Sequence, residues 1–247
     1  MCQSCFSRRA FLGASLTAPM ALSACDEAPN LVSDEEAARM GQQAWEQMLE
    51  TTPLSRNQSY QQALDSVSLR LLDAAQVEHD NWEIEVFASP EINAFALPGG
   101  KIGVYEGMFD VAQNEAQLAA IVGHEIGHLS AEHAQKRMSA QIARNAGVRI
   151  VAFFLNIGGI EYGTEIAAAL GLGVDVGLLL PYSRDQELEA DALGLDTMAV
   201  AGFDPQQAVT LWQRMQQANQ NRPPAFLATH PTPASRIREI EELLETI

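Results

Sequence analysis

Apolar residues recur at helical spacing over most of the chain. The first such run follows Ser33-Asp34-Glu35-Glu36, a capping-box pattern that predicts the start of a helix. A break at 53–59 separates it from a second helix, whose apolar face consists of Leu64, Val67, Leu71 and Leu72. Asn114, with Gln117 three residues later, predicts the start of a third and strongly apolar helix. The pattern therefore predicts a mostly helical chain.

Between the second and third helices the period changes from helical to alternating. Residues 82–87 place apolar side chains on one side and glutamates on the other, which is typical of a half-buried strand. Two further apolar runs, 92–97 and 102–105, are separated by Pro98-Gly99-Gly100. Because proline and glycine in this order favour a turn, the two runs are predicted to form a hairpin.

The C-terminal third contains further helix signals. Ser183-Arg184-Asp185-Gln186 is a capping box that predicts a helix from about residue 184 to 200, ending at Gly202. Later helices are predicted to begin at Asp204-Pro205 and Thr232-Pro233. The preceding stretch, 147–180, is apolar and rich in glycine but too interrupted to span a bilayer. It is interpreted as a pair of buried helices or, alternatively, as a mobile hairpin that borders the active cleft or dips toward the membrane.

Residues 1–24 have the features of an export signal. Ser7-Arg8-Arg9-Ala10-Phe11-Leu12 resembles the twin-arginine export motif, and a short apolar run follows it. Leu22-Ser23-Ala24-Cys25 resembles a bacterial lipobox, with Cys25 as the lipidated residue; an uncleaved N-terminal anchor is the alternative. We therefore expect residues 25–32 to be a lipidated tether and residues 33–247 to form the folded domain. Asp26 favours retention in the inner membrane over the outer membrane.

The charge of the chain excludes one class of partner. Its formal net charge is −17, and removal of Arg8 and Arg9 with the leader leaves 13 basic against 32 acidic groups, or −19. Such a surface is repelled by phosphate backbones, so nucleic acid is not an expected partner. Cys2 and Cys5 lie within the leader, so no disulfide is expected in the exported chain.

His124-Glu125-Ile126-Gly127-His128 is an H-E-x-x-H motif inside the third predicted helix. Residues four apart on a helix lie only ~40° apart around its axis, so both imidazoles can bind one zinc ion, Zn²⁺. Glu125 lies beside them, where it can act as general base toward the attacking water.

Catalytic zinc sites usually have three protein ligands, so a third is expected. His133 lies nine residues after His124, ~180° away if the helix continues, and is interpreted as structural or solvent-facing. Glu187 is the preferred candidate, in the first turn of its helix. Asp191 shares the face of Glu187 and can accept the free ring N–H of a ligating histidine, whereas Glu189 points away. An acidic helix start that needs no function is the alternative.

The H-E-x-x-H motif together with Ser183-Arg184 and Glu187-x-Glu189-Ala190-Asp191 resembles the HtpX and CAAX-prenyl-protease type of zinc metallopeptidase. Residues 93–100 also resemble the family's segment ahead of the catalytic helix, and the resemblance covers roughly residues 80–240. It implies an α+β, mostly helical gluzincin-type domain with a small antiparallel sheet beside the H-E-x-x-H helix. It also implies that Glu187 is the third zinc ligand and Asp191 its second-shell partner. Because the chain has no clear membrane spans between its motifs, it resembles the short periplasmic lipoprotein members.

Two further sites are predicted from the sequence. The strand containing Asn93, Ala94, Phe95 and Ala96 either offers its edge to an extended substrate or is plain core. His230 is a catalytic candidate, because a late histidine approaches the metal in related proteins. It would stabilise the oxyanion or occupy the open zinc position in a latent state, and a surface histidine is the alternative. Tyr182 has the phenol that an oxyanion donor needs, but only its nearness to Glu187 favours that role.

The sequence thus predicts a zinc metalloendopeptidase of the bacterial envelope that faces the periplasm and is anchored to the membrane through Cys25. Its expected substrates are unfolded or misassembled envelope proteins, as in protein quality control. The competing hypothesis is a non-proteolytic chaperone or assembly factor on the same scaffold, and a purely structural zinc protein is a third. Sequence alone does not give the oligomeric state or the cleavage preference.

Overall fold

The computed structural model describes residues 31–143, 182–221, 224–231 and 234–247. The predicted export signal, Cys25 and the stretch 147–180 lie outside the described residues, so the predictions made for them are untested.

Two amphipathic helices open the described chain. Helix α1, Asp34–Thr51, begins after Ser33, whose hydroxyl accepts a hydrogen bond from the backbone N–H of Glu36 at 3.2 Å. Helix α2, Gln58–Ala74, begins after Asn57, whose side chain accepts from the N–H of Ser59. The predicted apolar face of α2 is buried, which confirms the helical pattern.

The three predicted strands form one sheet in the order β1-β3-β2, where β1 is Glu83–Phe87, β2 is Ala94–Leu97 and β3 is Lys101–Tyr105. The predicted hairpin is present, since β2 and β3 pair antiparallel across the turn at Gly99 and Gly100, both with positive φ. The prediction that the sheet is antiparallel is wrong, because β1 and β3 pair in parallel and the sheet is mixed. The connection 88–93 leaves room for one strand between β1 and β2. Strand β3 fills this place, antiparallel to β2 and therefore parallel to β1.

Helix α3, Glu115–Ser130, lies at the centre of the domain, and every residue from Gln117 to His128 is buried. A turn at Ala131 and Glu132 ends it, and a helix that we label α4 begins at residue 133 and continues to 143, where the described segment ends. Helix α5, Arg184–Val200, packs along α3. The predicted bounds of α5 are confirmed, and Gly202 follows it with a φ of 76°.

Three helices complete the described chain: α6, Gln206–Asn221; the single turn α7, Phe226–Thr229; and α8, Ala234–Leu244. Helix α6 packs against α3, α8 packs against α5 and α6, and the turn α7 is hydrogen-bonded to Ile92 ahead of β2. The fold class is confirmed as mostly helical α+β with a small sheet. Among the described residues, no helix has the length and apolar character needed to cross a membrane.

Glycines allow α3 and α5 to approach until their backbones touch. A Cβ atom added to Gly127 would lie 2.6 Å from the carbonyl oxygen of Ala190, and one added to Gly194 would lie 2.9 Å from the carbonyl carbon of Gly123. Both distances are too short for a real Cβ contact. Backbone contact therefore sets the spacing between the two helices that carry the predicted metal ligands.

Candidate metal centre

The H-E-x-x-H helix presents its two histidines to one buried point. The Nε2 atoms of His124 and His128 lie 3.0 Å apart, and both side chains are almost fully buried. The four-residue spacing on α3 places them one helical turn apart on the same face.

Glu187 reaches the same point from α5. Its Oε1 lies 3.3 Å from Nε2 of His128, and its Oε2 lies 3.6 Å from Nε2 of His124. The side chain of Ser183 accepts from the backbone N–H of Gln186, whose own side chain accepts from the N–H of Ser183. This complete capping box fixes the start of α5 and so places Glu187 in its first turn.

His230 completes the cluster. It follows α7 directly, and its Nδ1 lies 3.0 Å from Oε1 of Glu187 and 3.3 Å from Nε2 of His124. Its ring stacks on Phe226 at 4.2 Å, and its backbone N–H donates to the carbonyl of Phe226. One ligand atom from each of His124, His128, Glu187 and His230 lies within 4.8 Å of the others.

The protonation of this cluster suits a divalent metal. Burial lowers the pKa of His124 well below its ordinary value and that of His128 to about 4, so both imidazoles are neutral. Burial opposes ionisation of Glu187, but the neighbouring side chains of His128, His230 and His124 outweigh it and hold the pKa of this carboxyl far below its usual range. Neutral imidazoles and an ionised carboxylate are the forms that bind metal, and the cluster is compatible with one zinc ion.

Glu125 borders the cluster without belonging to it. The side chain is buried, and its Oε1 has no hydrogen-bond partner among the described residues; Nε2 of His230 lies 3.5 Å away. Burial raises the pKa of Glu125 to about 7. An unsatisfied buried carboxyl with a pKa near neutrality is suited to take up and release a proton.

Asp191 lies one turn beyond Glu187, with Oδ1 2.9 Å from Nδ1 of His124. Its two oxygens also accept from Nε and Nη2 of Arg236 on α8, at 2.7 and 2.8 Å. Arg236 pairs with Glu187 as well, and its guanidinium lies over the ring of Trp212. The sequence reasoning missed Arg236. An arginine just inside a helix that follows His230 was the available signal, but its burial could not be read from the local pattern.

Helix α3 does not continue to His133, which was the condition for placing this residue ~180° from His124. Glu132 has a φ of 54°, and this left-handed residue ends the helix and turns the chain. His133 is consequently buried and lies near His128, not on the opposite face. Solvent exposure of His133 is therefore excluded.

Tyr182 packs beside the cluster. Its ring stacks on that of His128, with the ring centroids 3.9 Å apart. The guanidinium of Arg137 also lies over the tyrosine ring, 3.7 Å from its centroid. Burial raises the pKa of its phenol, so the group is neutral at physiological pH. The structure thus places Tyr182 against the imidazole of His128, which is a predicted zinc ligand.

The predicted substrate strand, β2, lies at one edge of the sheet, and among the described strands only β3 pairs with it. The N–H of Tyr105 donates to the carbonyl of Asn93. Because hydrogen-bonded pairs alternate along an antiparallel ladder, the backbone N–H and C=O of Phe95 also face β3. The backbone groups of Ala94 and Ala96 therefore point away from β3, where Ala94 is buried and Ala96 is half-buried. The side chain of Phe95 is half-buried and packs among the aromatic rings of Trp45, Phe87 and Tyr105.

Comparison with known proteins gives a consistent result. The family model described as "Peptidase family M48" matches residues 55–244. Mitochondrial metalloendopeptidase OMA1 of Schizosaccharomyces pombe is 36% identical over 220 residues, covering 87% of this chain and 63% of that protein. Beta-barrel assembly-enhancing protease of Escherichia coli O157:H7 is 29% identical over 218 residues, covering 86% of this chain and 44% of that protein. A putative beta-barrel assembly-enhancing protease of Vibrio cholerae is 32% identical over 185 residues, covering 72% and 38%. The chain thus spans less than two thirds of the length of these relatives.

Proposed function

The chain belongs to peptidase family M48, and from this premise we propose that it is a zinc-dependent endopeptidase that cleaves unfolded or misassembled proteins of the bacterial envelope. The observation that carries the proposal is the buried cluster of His124, His128, Glu187 and His230 with Glu125 beside it. Three imidazoles and a carboxylate fit zinc, and the adjacent unsatisfied carboxyl supplies the base that hydrolysis requires.

The protein's own groups divide the work of peptide hydrolysis. Zinc at this site supplies Lewis-acid chemistry for the scissile carbonyl and the attacking water. Glu125 takes a proton from the water at its free Oε1 and returns it to the leaving amine. Asp191 accepts the Nδ1 proton of His124 and so leaves the Nε2 lone pair directed at the cluster.

The open edge of β2 supports binding of an extended peptide. The outward N–H and C=O groups of the half-buried Ala96 can pair with a substrate backbone, which gives affinity without selecting side chains. Such binding suits substrates that are recognised because they are unfolded. Plain core, the alternative prediction for this strand, accounts for the buried Ala94 but not for the backbone edge of Ala96, which pairs with no described strand.

His230 acts in a latent state of the enzyme. Its Nδ1 lies as close to the carboxylate of Glu187 as the α3 histidines do, which supports a ligand-like role more strongly than oxyanion binding. A fourth protein donor fills the coordination position that catalytic zinc sites keep open. Hydrolysis therefore requires His230 to withdraw.

The envelope location rests on the twin-arginine-like leader and on Cys25 as a lipid anchor, and the bacterial relatives named as assembly-enhancing proteases agree with it.

A chaperone or assembly factor without proteolysis is the competing function, but it has no use for a buried, unpaired Glu125. The exported chain incubated with unfolded casein separates the two. We expect cleavage that stops with a chelator and returns with added zinc. Casein kept soluble but intact in both conditions would instead establish the holding function.

A further inference from the structure

A hydrogen-bonded chain leads from the predicted zinc ligand His128 to the protein surface. The Nδ1 of His128 lies 2.7 Å from Nδ1 of His133, and Nε2 of His133 lies 3.1 Å from Oε2 of Glu189. His133 is fully buried, whereas about half of the side chain of Glu189 is exposed. The break at Glu132 creates this arrangement, because it turns His133 back toward His128.

The chemistry of the three groups fixes the positions of their protons. A carboxylate only accepts hydrogen bonds, so Nε2 of His133 carries the proton that Glu189 accepts. Nδ1 of a neutral His133 is then a lone pair and accepts from Nδ1–H of His128. With its proton on Nδ1, His128 presents a lone pair on Nε2, the atom that faces His124 and Glu187.

The two ligand histidines are therefore supported in different ways by the same helix. Asp191 on α5 contacts His124 directly and is buried with Arg236. Glu189, on the opposite side of α5, acts on His128 through His133. Glu189 points away from the predicted metal position, as expected, and contacts His133 instead.

We propose that His133 and Glu189 are positioning residues that hold His128 in the tautomer able to bind zinc. The proposal rests on the proposed zinc site, although the tautomer itself belongs to the metal-free protein. Loss of such an outer contact typically weakens metal affinity by about 10- to 100-fold.

Zinc affinity of the full exported chain, measured by competition with a chelator, tests the proposal. We expect His133→Leu to weaken binding by about 10- to 100-fold. His133→Asn should recover most of the loss, since its side-chain oxygen can accept at the position of Nδ1. Glu189→Ala should weaken binding less, and should have no further effect in the His133→Leu background. Asp196→Ala, an exposed acid on the same helix, is the matched control and should bind zinc as the unmodified protein does.

Nitrogen-15 NMR of the metal-free protein provides a readout that needs neither zinc nor activity. We expect the proton of His128 on Nδ1, and its redistribution between the two nitrogens in His133→Leu. A wild-type His128 protonated on Nε2 would overturn the proposal, as would additive effects of His133→Leu and Glu189→Ala on affinity. A chain that shows the expected tautomer but binds no zinc would refute the proposed function alone.

Discussion

Arg236 holds Asp191 through two parallel hydrogen bonds, from Nε and Nη2 to the two carboxylate oxygens, at 2.7 and 2.8 Å. The same guanidinium pairs with Glu187, so one buried arginine contacts two buried acids. Its removal leaves uncompensated charge in the interior. We expect Arg236→Met to lower the free energy of unfolding by about 3–5 kcal/mol, measured by urea denaturation. Arg238→Met, at an exposed position of the same helix, is the control, and equal effects of the two would contradict the assigned role.

Glu125→Gln removes the proposed base but no proposed ligand. We expect proteolysis to fall at least about 100-fold, while zinc content measured by atomic absorption stays near one per chain. Glu115→Gln, at an exposed position in the first turn of the same helix, should leave both quantities unchanged. Undiminished cleavage by a homogeneous preparation of the Glu125 variant would exclude this residue as the base.

His230→Ala distinguishes the two roles considered for this histidine. If His230 blocks the open coordination position, its removal should raise kcat/KM several-fold and leave zinc content unchanged, because three ligands remain. A fall of about 100-fold with zinc retained would instead indicate oxyanion stabilisation. His79 is partly exposed and lies outside the metal cluster, so His79→Ala is the control for general effects of histidine removal.

The β2 edge can be tested with a substitution that removes only an outward N–H. Ala96→Pro eliminates that donor without removing a bond to β3, whereas Ala96→Ser retains it. We expect kcat/KM for unfolded casein to fall about tenfold in the proline variant, which corresponds to one lost hydrogen bond of ~1.4 kcal/mol, and to be unchanged in the serine variant. Equal rates for the two variants would argue that the substrate binds elsewhere.

The metal-free protein should lose stability as the pH falls from about 6.5 toward 4. Burial lowers the pKa of His124, that of His133 and that of His128, the last to about 4. The folded state therefore takes up fewer protons than the unfolded chain in this window. The stability that these histidines contribute is fully present above their pKa in the unfolded chain and is lost as the pH falls below it. Glu125 acts in the opposite direction, since its pKa is raised to about 7, and offsets roughly one histidine.

One net proton corresponds to a slope of ~1.4 kcal/mol per pH unit, which urea titrations in chelator at pH 7.5, 6 and 5 can resolve. The slope should become shallower in His128→Gln. Stability that is flat or rises on acidification would show that these imidazoles are not neutral in the folded protein. Activity of the zinc-loaded enzyme should also fade in acid, because protonated histidines do not bind metal.

Local signals predicted the elements well because they depend on neighbouring residues. Ser183 and Gln186 form the predicted reciprocal cap, and α5 has the predicted bounds. Asn114 caps α3 as expected, although the side chain of Gln117 accepts from the N–H of Gln113 and not from Asn114. The parallel pairing of β1 with β3 could not be predicted, because the direction of a strand depends on where the chain crosses the sheet.

The candidate site was predictable to the extent that helical spacing decides it. That spacing places His124 beside His128, and Glu187 on the face of Asp191, and the structure brings these residues together. The roles assigned to them remain predictions. The position of His133 depends on a single left-handed residue, Glu132, and the burial of Arg236 depends on how α8 packs, so neither could be read from periodicity.

The direct contact of α3 with α5 also holds in place the two helices that carry His124, His128 and Glu187. With Gly127 and Ala190 touching through their backbones, these two helices cannot separate or slide without losing the spacing of the ligands they carry. His230, by contrast, follows a single helical turn that is held by backbone hydrogen bonds from Phe226 to Ile92 and from Tyr182 to Thr229. In the proposed function, withdrawal of His230 therefore requires this single turn to move relative to α3 and α5, whose spacing the backbone contact holds.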